Sequence, residues 1–516
     1  MREGDGSMPP GYLGSDARIS SGPARQLVET GYALELGDAG LLHRGLGLAD
    51  LAHVIALAEQ ELIPREAAAA LLRVVLELLD VPAEDFPYDV RYGDAYNSRE
   101  KELVRRLGDV AGWVHLGRTR REAGRIAFRM AVRERLLALA GAIEEFVTAL
   151  ADRADETVDL VWADTTYLQP AQPSTFGHYL ASFAEEAARH LVRVRAAYAW
   201  ADTSPAGSGG VAGTRLRLDR RRLADLLGFV AVGANIRDTM WNVDGLTECV
   251  LVAVQAVLTA DRLAEDLQIF TTPGWGLVQL DASLCRASVL MPQKRNPYAL
   301  SVIRAGASTL TGRLTGVLVT GRTPSAATDN WLHSYGEVTS SLELATRLVG
   351  LAAEVVRTLH LRPDRLAATA TGPEAASTDL ADELTRRTGW DYRTAYRVVG
   401  RAVAEALQRA AGGPASLTAA HLDAAARAIT GEPLPDAVRR AGAAGSDDDW
   451  LAQVMDPAAL VATRTEPGGC GSEQLSRELE LLRHRVAEAS GWRRGRAAAA
   501  ADAETRLIEA AQTLSS

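Results

Sequence analysis

The chain has 516 residues, 47% of them apolar, with 56 Lys and Arg against 66 Asp and Glu for a formal net charge of −10. That acidity gives no footprint for wrapping nucleic acid, and the length suits two to four domains or one large helical body. Three scattered cysteines, Cys249, Cys285 and Cys470, fit neither a disulfide framework nor a zinc site.

Residues 1–24 read as a flexible polar segment without the apolar stretch of a signal peptide. The longest apolar run, near Val250–Ala260, is bracketed by Glu248 and Asp261 and is too short to span a bilayer. A cytoplasmic protein is expected. Abundant Ala, Leu and Arg with few aromatics favour helix. Residues 25–120 are expected to form an N-terminal helical domain and 121–362 a central bundle of long helices. Five apolar stripes carry that bundle: Gly124–Asp159, Phe176–Ala201, Leu246–Phe270, about Leu300–Val319 and about Tyr335–Leu359. Pro363, Gly372 and Pro373 mark a boundary. Beyond it, 363–516 reads as a C-terminal helical domain and tail, with helices at Thr378–Thr388, Tyr392–Ala410 and Glu473–Ala511 and a loop at Gly442–Asp449. The predicted class is all-α, with any strands short and peripheral.

The segment from Ala287 to Pro297 gathers a hydroxyl (Ser288), a cation (Lys294) and a carboxamide (Asn296), with prolines on either side of the lysine. Prolines discourage helix, so a shaped loop is expected. Such a loop, with a potential nucleophile or base beside a cation, suits carbanion chemistry. A Gly-rich run at Gly207–Gly210 lacks the preceding strand and the lysine of a phosphate loop. No dinucleotide fingerprint or spaced ligand set is seen, so neither metal nor organic cofactor is expected.

The 287–297 run resembles the GSSxMPxKxNP signature of the fumarase/aspartase superfamily, and its MPQK form looks most like the argininosuccinate lyase family. Five further segments are similar to that family, in the right order: His115–Arg120, Thr166–Pro173, Ser204–Thr214, Arg262–Leu267 and Ser377–Asp382. The closing stretch, Asp456-Pro457 and Gly468–Gln474, echoes it too. The resemblance implies a long-helix bundle that assembles as a homotetramer, with active sites shared between subunits. It implies β-elimination from a small-molecule succinyl adduct, releasing fumarate. Ser288 is then the base, supported by Lys294. Thr166, Arg118, Thr119, Asn296, Gln169 and Asn235 are the expected substrate-binding residues. An aci-carboxylate intermediate needs such donors aimed at it in advance.

Several positions depart from the family. Its histidine after the threonine of THLQ is Tyr167, an acid whose ordinary pKa near ~10 is poorly placed for exchange at neutral pH. A second active-site histidine reads as Tyr96. Positions serving the amino-acid half become Arg121, Glu122, Val243, Ala327, Leu332 and Tyr335. An arginine leaving group would lose polar contacts worth about 1–3 kcal/mol each. The fumarate end is kept and the amine end is changed, which predicts an amine other than arginine. Ordinary argininosuccinate lyase and an inactive scaffold tetramer are the alternatives.

Overall fold

The computed structural model describes residue 18 and residues 22–327, 334–410, 415–435, 438 and 447–516. Most of the expected N-terminal flexible segment, the Leu332 replacement and residues 442–446 of the expected loop lie outside the described residues.

The longest helix of the bundle, Arg120–Asp155, begins where the Thr119 hydroxyl accepts the Glu122 N–H at 3.3 Å. Free of proline for 36 residues, it extends about 54 Å. Helices Phe176–Ala201, Asp244–Phe270, Tyr298–Thr320 and Ser334–Arg357 complete the five-helix bundle, each within two residues of its expected start. Their apolar stripes merge into one core with the N-terminal helices Ala39–Glu59 and Arg65–Leu79.

Ala39–Glu59 is the one described helix long and apolar enough to cross a membrane. It is buried on all sides in the core, which explains its composition without a bilayer. No single stripe marks it.

Three buried arginines, Arg125, Arg129 and Arg133, recur every fourth residue along the longest bundle helix. Their guanidinium groups lie 4.5, 4.3 and 4.2 Å from the rings of Trp241, Trp200 and Phe229. They donate to carbonyls where the chain turns: Met240, then Trp200 and Thr203, then Gly228. Turns whose backbone would otherwise be unpaired are thus tied to the bundle. Trp200 leaves room only for glycine at position 245, where a Cβ would lie 2.0 Å from the indole.

A second core, Leu380 to Leu451, belongs to helices Ser377–Thr388, Tyr392–Ala410 and Ala419–Thr430. The expected loop at 442–449 gives way to a helix from Asp447 to Val454. The 44-residue helix Ser472–Ser515, grouped by sequence with the C-terminal domain, packs instead on the longest bundle helix and the two N-terminal helices. Among the described residues the strands form four two-stranded pairs, short as expected.

Candidate active site

The signature segment folds as a small antiparallel hairpin, Arg286–Ala287 against Arg295–Asn296. Asn296 fixes its base by donating from Nδ2 to the Arg286 carbonyl at 3.0 Å. The Ser288 hydroxyl accepts the Met291 N–H at 3.0 Å. That contact makes Ser288 a loop cap in the isolated chain. It also aims a donor at Oγ, which favours the alkoxide form a base requires. Val289 and Leu290 at the loop's crown are almost wholly exposed. Lys294 opens onto a hollow that also holds Arg295, Arg362 and Arg365, with no carboxylate in its lining. Arg295 is anchored by donating to the Leu280 carbonyl at 2.5 Å. A concentration of positive charge in the hollow at this hairpin is what a developing dianion needs.

Thr166, Tyr167, Leu168 and Gln169 form the tip of a second hairpin, Val161–Thr166 against Gln169–Thr175. Tyr167 and Leu168 have φ of +54° and +60°. Two positive-φ residues match the twist of a two-residue hairpin turn, although glycine or asparagine ordinarily fills it. Tyr167 is 99% exposed. A strained turn that holds an aromatic side chain out in solvent is suited to reach into another surface.

Arg118 is placed differently from expectation. It is buried, and its guanidinium donates to Asp50 at 2.5 Å, the Ala49 carbonyl at 2.9 Å and the Tyr96 hydroxyl at 3.1 Å. Those bonds tie the start of the longest helix to the N-terminal core, so Arg118 presents no open fork to a carboxylate in this chain. Its partner Asp50, 68 residues away, gives no signal in local spacing. Thr119 and Asn235 each cap a helix, Asn235 accepting the Asp238 N–H at 3.0 Å. The Gly-rich loop lies between them. Its Gly207 and Gly209 N–H groups donate to Glu122 at 2.7 and 2.6 Å, and Trp241 donates to the Gly210 carbonyl. Burial pushes the Glu122 carboxyl up to about 7, against the opposing pull of those N–H groups and Arg118. His115, read as structural, contacts Glu100 at 2.5 Å.

Structure therefore joins the Thr119 segment to the Gly-rich loop and Asn235. Among the described residues, no hydrogen bond or ion pair links that neighbourhood, the Tyr167 hairpin and the Ser288 hairpin to one another.

Three of the departures from the family converge elsewhere. Tyr96, Arg121 and Tyr335 line one pocket with Glu35, Asp38 and Asp94. Arg121 donates to both oxygens of Glu35, at 2.6 and 3.2 Å, and Tyr335 stacks on Phe128 with centroids 4.0 Å apart. Burial pushes Asp38 up to about 6. Glu35 and Asp38 escaped sequence reading. Their one signal is an acidic pair three residues apart just before the most apolar helix.

Comparison with known proteins decides the family. Residues 43–312 match the lyase family and 374–461 the argininosuccinate lyase C-terminal family. Argininosuccinate lyase from Natronomonas pharaonis is 33% identical over 495 residues, 95% of each chain. The chain belongs to the argininosuccinate lyase family. It is a fumarate-releasing carbon–nitrogen lyase of the fumarase/aspartase superfamily. The Methanoculleus marisnigri argininosuccinate lyase is 31% identical over 447 residues, 86% of this chain and 88% of the relative. Among solved structures, an EDDS lyase variant with bound fumarate superposes with a TM-score of 0.84 at 27% identity, covering 99% of this chain and 98% of the other.

Proposed function

We propose that this lyase eliminates an amine other than arginine from a succinyl adduct, in a homotetramer whose active sites are completed between subunits. Ser288 takes the proton from the carbon beside a substrate carboxylate. That electron pair becomes the second bond of fumarate's C=C as the C–N bond breaks, and its electrons leave on nitrogen. Tyr167 supplies the proton that nitrogen needs, in place of the family's histidine. Lys294, Asn296 and Thr166 hold the carboxylate as it gains charge, with Gln169, Thr119 and Asn235 contributing polar contacts. Arg118, buried against Asp50, supports the wall of the site.

The tetramer accounts for the separation of the three segments within one chain and for the exposed crown of the signature hairpin. The observation that carries the substrate assignment is the Arg121–Glu35 pair. Where the family has asparagine, this chain has a guanidinium already bound to a fixed carboxylate. A site that offers unpaired donors to one amine and committed pairs to another discriminates strongly between them.

Purified protein offered argininosuccinate and a set of N-succinyl amines, with fumarate followed by ultraviolet absorbance, tests the assignment. Expected is turnover of some succinyl amine and weak or absent turnover of argininosuccinate. Ordinary rates on argininosuccinate overturn the substrate assignment. A blank throughout, from an intact tetramer, supports an inactive scaffold instead.

A further inference from the structure

The pocket lined by Tyr96, Arg121 and Tyr335 has an unequal distribution of uncommitted charge. Arg121 is held by Glu35, and Arg120 lies 3.4 Å from Asp94. Arg125 donates to the Met240 and Arg121 carbonyls and faces the Trp241 ring. Arg120 and Arg121 thus each face a carboxylate, while Arg125 is held by backbone carbonyls and an indole ring. Asp38 differs. Its carboxylate accepts the Gly336 N–H, and among the described residues no cation pairs with it. Glu35 and Glu337, both of the same sign, act on it. Tyr96 and Tyr335 add aromatic wall, while Leu42 and Leu46 add aliphatic wall.

We propose that Asp38 determines the substrate class, receiving an ammonium group on the amine leaving group, so that the adduct is an N-succinyl diamine or similarly dicationic amine without a carboxylate of its own. This rests on the lyase assignment above and narrows it. A leaving group with a carboxylate would meet Arg120 and Arg121 already facing Asp94 and Glu35 and Arg125 already bonded to carbonyls, and would lie beside Asp38, Glu35 and Asp94. An aliphatic spacer ending in ammonium meets Leu42 and Leu46 along its length and Asp38 at its end. Tyrosine rings at the wall suit a cation in addition. The cost Asp38 bears in the empty pocket is relieved when a cation arrives, since burial without a partner is what raises its carboxyl.

The test runs the full-length enzyme in the addition direction, following fumarate consumption with short α,ω-diamines, monoamines of matched length, and arginine. Diamines are expected to exceed matched monoamines in kcat/KM by about 10- to 100-fold, the range of one charge-assisted hydrogen bond. In Asp38→Asn that ratio is expected to collapse toward one, mainly through KM. Asparagine keeps an acceptor for the Gly336 N–H, and an unchanged melting curve and gel-filtration volume show the variant folded. Equal use of monoamines or arginine overturns the assignment, as does a diamine preference that survives Asp38→Asn. No reaction with any amine, together with no elimination from any N-succinyl amine, overturns the lyase assignment as well, and so separates the two failures.

Discussion

The hollow behind the signature hairpin and the pocket around Arg121 are built on opposite electrostatic plans. The hollow collects Lys294, Arg295, Arg362 and Arg365 with no carboxylate in its lining, at the edge of an exposed loop. The Arg121 pocket has three arginines and three carboxylates, with Glu35 and Asp94 facing Arg121 and Arg120. One is a reservoir of unneutralised positive charge, fit for an intermediate that gains negative charge during reaction. The other is largely self-neutralised and selects by what it leaves over. On the proposed mechanism, reaction type and substrate choice can then diverge separately, because they depend on different side chains on different elements.

The largest test of that division is removal of the proposed base. Ser288→Ala is expected to lower kcat by about 10²–10⁴-fold, the range for general base catalysis, with the melting curve unchanged. Activity that survives it moves the base elsewhere. Lys294→Met is expected to lower kcat by about 10²–10³-fold, as loss of one preorganised charge does. A change confined to KM would place Lys294 in binding alone.

Reverting the pocket should fail for a structural reason. Tyr335→Lys restores the family's residue type but puts a cation among Arg121, Arg125 and Arg129 and removes the stack on Phe128. It is expected to destabilise the protein by about 3 kcal/mol or more, seen as a lowered denaturation midpoint, without raising activity on argininosuccinate. A stable variant that gains that activity would break the distinction between the two regions.

How far the sequence was legible follows the same line. Phe176–Ala201 and Tyr392–Ala410 were bounded to the residue, because each exposes one polar face and so carries a clear stripe. Ala39–Glu59 carries no stripe, being buried all round, and left only an apolar composition. The Ser288 hairpin was legible because its residues are contiguous. Arg118 was not: its buried partner comes from another helix, and a guanidinium committed to Asp50 looks the same in sequence as one awaiting substrate. Asp38 was missed for the converse reason, since its significance lies in the partner it lacks.

Glu122 offers a smaller, pH-dependent test of what links the start of the longest helix to the Gly-rich loop. Its folded-state carboxyl is raised to about 7 from 4.5. Between those values the folded chain holds a proton that the unfolded chain has released. The group's stabilising contribution is therefore complete below about pH 4.5 and lost as pH rises through about 7, by roughly 3 kcal/mol at most. Glu122→Gln is expected to flatten that part of the stability–pH curve, measured by denaturation at a series of pH values. An unchanged slope assigns it to other groups.

The smallest effect concerns the Tyr167 hairpin. Leu168 holds φ of +60° at a turn position where a branched side chain is disfavoured. Leu168→Gly is expected to raise stability by about 1 kcal/mol through relief of that strain, offset in part by the greater freedom of glycine in the unfolded chain. On the proposed mechanism activity should fall at the same time, because a turn that no longer fixes the direction of Tyr167 delivers its proton less often. A variant that gains stability and keeps full activity would mean the strain serves no catalytic purpose, and Tyr167 would lose its place as the acid. Unchanged stability would mean that the positive φ at Leu168 costs the folded chain little.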